Sequence, residues 1–153
     1  MIAINEWLSI GKYRDTIDRD ALYAAGINAA LLLAAPVEHP NIETLYLPVE
    51  DGEPTPQDLL KQGVEFVIAQ QAQGKQILVA CGAGISRSAT YCVAALHEIT
   101  GESLLDALRT VHSQHPDAMP NPYLWQSLLA YYGEEITTIE AMQQVMSVVR
   151  AKE

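Results

Sequence analysis

The stretch "VACGAGISRSAT", residues 79 to 90, sets a thiol at the end of an apolar run and an arginine six positions later. The run "QILVA" (76–80) has the character of a buried strand, and "SATYCVAALHEI" beyond the arginine is helical in pattern. Between them lie Gly82, Ala83, Gly84, Ile85 and Ser86, with little side-chain bulk. Strand, tight loop and helix in that order make the repeating unit of parallel α/β sheets, where ligands bind beyond the carboxyl ends of the strands.

The same alternation extends outward from this stretch. "KQILVA" (75–80) is one of four predicted strands, with "EWLSIG" (6–11), "NAALLLA" (28–34) and "ETLYLPVE" (43–50). The continuous apolar run at 28–34, stopped by Pro36, suits a strand covered on both faces. Helical spacing predicts helices over 18–27, 57–74, 85–99, 103–115, 122–132 and 137–152, with Ser103 as an N-cap and Pro122 opening its helix. "DGEPTPQ" (51–57) is turn chemistry. The expected fold is α/β: one domain over 1–153, a mostly parallel sheet of four or five strands flanked by helices, and an extra C-terminal helix over 137–152. The apolar stripe of that last helix (Ile139, Met142, Val145, Met146, Val149) is expected to pack into the core, and a monomer is expected.

Composition narrows the partners. A net charge of −10 argues against a nucleic-acid footprint or an anionic membrane surface. No run approaches the ~18 apolar residues of a membrane helix. The N-terminus lacks a basic segment followed by an apolar one, so a cytoplasmic location is expected. With 2 cysteines in the chain, a disulfide framework is not expected. Cys92, two helical turns past the loop, is read as core and as too far from Cys81 for the ~7 Å limit of a bridge. His112, His115 and Asp117 do not complete a metal-ligand set, so no metal or other cofactor is expected.

In an acidic chain, an anion must be drawn by a local site. Backbone N–H groups from Gly82 to Arg87, curled about one centre at a helix N-terminus, form such a cradle. Arg87 adds a planar fork matched to two phosphate oxygens. The same field favours the thiolate of Cys81, which makes it a nucleophile aimed at a bound phosphorus. Cys-x5-Arg alone is expected by chance in roughly one such sequence in fifteen. Adding Gly84 and a hydroxyl residue after the arginine lowers this to on the order of one in a few thousand.

These residues resemble the signature loop of cysteine-dependent protein phosphatases, and "AGISRSAT" (83–90) is similar to the dual-specificity branch. "WLSIG" (7–11), "YLPVEDGEPTPQDL" (46–59) and "VHSQHPDAMPNPYLWQSLLAYY" (111–132) carry the resemblance over roughly residues 5–132. The low-molecular-weight tyrosine phosphatases, which hold the motif at their N-terminus, do not match its mid-chain position. The resemblance implies hydrolysis of phosphotyrosine and phosphoserine/threonine through a phosphocysteine, on phosphorylated proteins or small phosphomonoesters. It further implies a general acid about thirty residues before the cysteine, which points to Asp51, with Glu50 and Glu53 as rivals. Ser88 matches the hydroxyl that assists the departing thiolate.

The chain departs from the family at two places. Ala80 stands where relatives usually have histidine, and His115 where they commonly have arginine. The loop also has no lysine, so polyphosphoinositide substrates are not expected, and the acidic surface disfavours RNA 5′ ends. The competing readings are a phosphate-binding pseudophosphatase with little turnover, for which Ala80 speaks, and a rhodanese-like sulfurtransferase, which would have no use for Asp51.

Overall fold

A computed structural model describes residues 1–150. The elements run β1 (Ile2–Ala3), β2 (Leu8–Lys12), α1 (Tyr13–Thr16), α2 (Arg19–Ala24), β3 (Ile27–Leu32), β4 (Glu43–Tyr46), α3 (Gln57–Ala72), β5 (Gln76–Cys81), α4 (Arg87–Thr100), α5 (Leu104–Gln114), α6 (Pro122–Tyr131) and α7 (Thr138–Arg150). The five strands form one sheet in the order β1-β2-β5-β3-β4. Every neighbouring pair is parallel except β1 with β2, so the fold is α/β with a mostly parallel sheet.

Alternation along β5 shows how the sheet divides the core. Ile77, Val79 and Cys81 face the larger cluster, which contains Val64 and Val67 of α3 and Ala89, Cys92 and Val93 of α4. Leu78 and Ala80 face a smaller cluster with Leu22, Ile27, Ala30, Leu32 and Ile42. Both faces are therefore dry, which is why β5 is apolar from Ile77 onward. Gly63 lets α3 and α4 approach closely. A Cβ there would lie 2.3 Å from the ring of Tyr91, whose hydroxyl donates to the Leu59 carbonyl at 2.9 Å.

The helix ends follow the predicted chemistry. Ser103 Oγ accepts the Asp106 N–H at 3.1 Å, and Asn121 Oδ1 accepts the Tyr123 N–H at 2.9 Å just ahead of Pro122. Several boundaries differ from expectation. The two-residue β1 and one-turn α1 carry no periodic signal and were not predicted. Strand β4 stops at Tyr46, because Pro48 lacks a donor and the chain leaves the sheet there. Helix α4 begins at Arg87, which leaves Ile85 and Ser86 in the loop.

Helix α7 buries Ala141, Val145 and Val148, whereas Ile139 and Met142 remain 65% and 47% exposed. The expected stripe is thus rotated: small Ala141 allows close approach to the bundle, and the longer Met142 is left outside. Its attachment is also polar, since Trp125 Nε1 on α6 donates to Gln144 Oε1 at 2.9 Å. Residues 151 and 152 of the predicted helix lie outside the described residues. Among the described residues no helix is long and apolar enough to cross a membrane.

Candidate active site

Strand β5 lies between two parallel neighbours, and Cys81 is its last residue. The thiol is buried, 2% exposed, with Sγ 3.1 Å from Ser88 Oγ. Ser88 lies in the first turn of α4 and is itself fully buried, so this contact is shielded from bulk water. One turn further along α4, Cys92 is a core residue. Burial pushes its thiol well above the ordinary range, and nearby Cys81 adds to the effect. Both cysteines are free thiols.

The loop between strand and helix is pinned by its carbonyls. Gly82 O accepts the Tyr13 N–H at 3.3 Å, and Ile85 O accepts the Met119 N–H at 3.0 Å. Gly84 O accepts from His115 Nε2 at 2.9 Å, so that nitrogen carries the ring proton. Ser86 O accepts both the N–H and the hydroxyl of Thr90, at 3.1 and 2.9 Å. The Ser86 hydroxyl in turn accepts the Asn121 N–H at 2.8 Å. Among the described residues, none of the N–H groups from Gly82 to Ser88 is given to a protein acceptor. Carbonyls tied outward and amides left free, at the N-terminus of a 14-residue helix, make an anion-binding cradle.

Gly84 shows why the loop needs glycine. Its φ is +71°, and a Cβ would stand 3.0 Å from the carbonyl oxygen and 3.1 Å from the carbonyl carbon of Gly11. Both atoms are backbone of β2 and cannot swing aside.

Arg87 is fixed on one side. Its Nη1 donates to the Val49 carbonyl at 3.0 Å and to the Leu33 carbonyl at 3.3 Å, tying together the chain beyond β4 and β3. Its Nη2 lies against the loop, 2.9 Å from where a Cβ on Gly82 would be. One edge of the guanidinium thus serves structure while the other faces the loop.

Asp51 sits in an exposed turn two residues past Val49. It lines a cleft of about 390 Å³ together with Ile85 and Ser86, whereas Glu50 and Glu53 do not. The structure thus gathers the loop residues, Arg87 and Ser88 around Cys81, with Asp51 on the adjoining wall.

The Ala80 side chain looks to the other side of the sheet. The crevice beside it, bounded by Tyr13, Thr16, Leu32 and Leu33 among others, has no room for a water molecule. With alanine at this place the loop is held by the Tyr13 amide, the His115 ring and the Met119 amide. His112 turns instead toward the Ala118 carbonyl, at 3.4 Å, so the two histidines do not converge. Among the described residues no cluster of three or more His, Cys, Asp or Glu side chains could hold a metal ion.

Sequence reasoning missed Gly11, Asn121 and Ser127. Ser127 on α6 anchors the far end of the Asp51 segment: its Oγ accepts the Thr55 N–H at 2.9 Å, and its carbonyl accepts from Gln57 Nε2 at 3.2 Å. Nothing local in the sequence signals either bond, because each spans about 70 residues.

Comparison with known proteins agrees with this arrangement. Residues 10–134 match the family model described as dual specificity phosphatase, catalytic domain, and the chain belongs to that family. Zebrafish dual specificity protein phosphatase 22-B is 32% identical over 135 residues, covering 84% of this chain and 72% of that protein. Drosophila melanogaster dual specificity protein phosphatase Mpk3 is 30% identical over 135 residues, covering 83% of this chain but only 32% of that protein. The crystal structure of human DUSP28 superposes with a TM-score of 0.79 at 28% identity, covering 94% of this chain and 98% of that one. Helix α7 begins beyond the family-model match.

Proposed function

We propose that the protein is an active, metal-independent dual-specificity protein phosphatase that hydrolyses phosphomonoesters through a phosphocysteine. The observation that carries this reading is the buried Cys81 thiol, 3.1 Å from Ser88 Oγ, at the base of a loop whose amides are free and whose carbonyls are tied away. Phosphotyrosine and phosphoserine/threonine of proteins, and small phosphomonoesters, are the substrates.

In this mechanism the Cys81 thiolate attacks phosphorus in line with the leaving oxygen. The 82–87 amides and the free edge of Arg87 hold the three equatorial oxygens and take up their charge, so the protein itself supplies what a metal would. Asp51 gives its proton to the leaving oxygen as the P–O bond breaks. The resulting Asp51 carboxylate takes a proton from water as that water attacks the phosphocysteine. The P–S bond breaks, phosphate leaves, and the Ser88 hydroxyl donates to the departing thiolate. Such a thiol works in a reducing compartment, and the cytoplasm is the proposed one.

The second reading, a phosphate-binding module without turnover, rests on Ala80. Hydrolysis of p-nitrophenyl phosphate, with orthovanadate as competitor, separates the two. Cys81→Ser is expected to lose on the order of 10⁴-fold or more of the rate while still binding vanadate. A wild-type protein that binds vanadate but turns nothing over belongs to the second reading. Asp51→Asn is expected to slow an alkyl phosphate by about 10²-fold or more, and the activated aryl ester far less. Equal losses on both esters would return the acid role to Glu50 or Glu53.

A further inference from the structure

The cleft beside Asp51 has a chemistry that phosphate transfer does not use. Ile85, Met119, Pro120, Pro122, Met142 and Met146 give it apolar walls. Val145 lies beneath, 2% exposed. Its polar residues are three, and in two of them an oxygen is engaged: Ser86 Oγ accepts the Asn121 N–H, and Asn121 Oδ1 accepts the Tyr123 N–H. Among the described residues, Asp51 is the one ionisable side chain that lines the cleft, and no basic side chain does. Its volume of about 390 Å³ falls within the roughly 300–1,000 Å³ of ligand pockets. Ile85, Met119 and Met142 are 37%, 43% and 47% exposed, and such apolar surface gains most when covered.

Resting on the phosphatase reading above, we propose that this cleft selects substrates, seating an apolar residue next to the phosphorylated one in an extended peptide. Ile85 and Ser86 belong both to the cradle loop and to the cleft, so a chain anchored by its phosphate delivers its neighbour directly into it. With ~3.3 Å per extended residue, two residues on either side of the phosphorylated one span about 7 Å, the range over which the neighbour is sought.

Along α7 lies a second hollow of about 520 Å³, which shares Met142 and Met146 with the cleft and is lined also by Gln143, Ser147 and Arg150. The net charge of −10 repels an anionic membrane, and it also repels a peptide with acidic residues beside the phosphate. Methionine walls adapt to leucine, methionine or phenylalanine alike.

The test compares three phosphotyrosine peptides that differ only in the two residues flanking the phosphotyrosine on each side, leucine, serine or glutamate. For the wild type, kcat/KM is expected to be about tenfold higher with leucine than with serine, as for a leucine side chain about half buried, and lowest with glutamate. Met142→Glu is expected to shrink the leucine-to-serine ratio to within about twofold. Ile139→Glu adds the same charge to the same helix outside the cleft and keeps the ratio. Equal rates on the leucine and serine peptides overturn the proposal, as does an equal effect of the two glutamate variants. A Met142→Glu protein that is faster on all three peptides would show the groove covered by this chain itself. Wild-type binding to phosphatidylserine vesicles that Met142→Glu abolishes would assign the face to lipid. If the wild type hydrolyses no aryl phosphate, the phosphatase reading fails by itself. Peptide affinities from fluorescence anisotropy then still report on the cleft, with the same order expected.

Discussion

The cradle loop and the Asp51 segment meet at one cleft but are held in opposite ways. The carbonyls of Gly82, Gly84, Ile85 and Ser86 are each bonded to a fixed donor, and Gly84 is wedged against the backbone of β2. Among the described residues, the Asp51 segment is fastened at its ends, by Arg87 on the Val49 carbonyl and by Ser127 on the Thr55 amide. Glu50, Asp51, Gly52 and Glu53 between those anchors are all exposed. Charge stabilisation needs donors that do not reorganise during the reaction, whereas a proton donor needs only to arrive. In the proposed mechanism the rigid part would handle charge, and the tethered part the proton.

Matched glycine substitutions test that difference. Gly84 and Gly52 have nearly the same φ, +71° and +79°, but a Cβ at Gly52 meets nothing within 4 Å. Gly84→Ala is expected to have the largest effect, destabilising by roughly 2–4 kcal/mol through strain and overpacking together, with loss of vanadate binding. Urea denaturation and vanadate titration read these two effects. Ser127→Ala comes next. It leaves the Thr55 N–H without its acceptor, at about 1–3 kcal/mol, and is expected to lower kcat for alkyl phosphates several-fold more than vanadate affinity. A fall in vanadate affinity as large as the fall in kcat would mean that the two loops are one rigid unit. Gly52→Ala is the smallest, about 1–2 kcal/mol from φ strain alone. Should Gly52→Ala cost as much as Gly84→Ala, the contrast between wedged and tethered loops is wrong.

What was legible in the sequence follows the same division. The strand–loop–helix at 76–100, the cap at Ser103 and the proline start at 122 rest on local chemistry, and the structure has them. The gathering of the loop, Arg87 and Ser88 around Cys81 was also readable, since all lie within one β–loop–α unit. The anchors were not. Ser127 to Thr55, Asn121 to Ser86 and His115 to Gly84 join residues 72, 35 and 31 positions apart. Periodicity placed α7 but misjudged its face, because Ala141 scores as weakly apolar while its small size is what brings the helix onto the bundle. The structure adds one fact about the Ala80 position. Its side chain and the Cys81 thiol lie on opposite faces of the sheet, so a residue adjacent in sequence is not adjacent in packing.

The central place of β5 has one more effect. A strand laddered on both sides cannot be peeled away alone, since freeing it means breaking its pairing with β2 and with β3 together. Openings that cost little therefore occur at the rim, in β1, β4 and the Asp51 turn, and they close again without loss of structure. In the proposed mechanism, an excursion of that turn would withdraw the proton donor for a moment. The sulfur leaves its station only when the whole sheet comes apart.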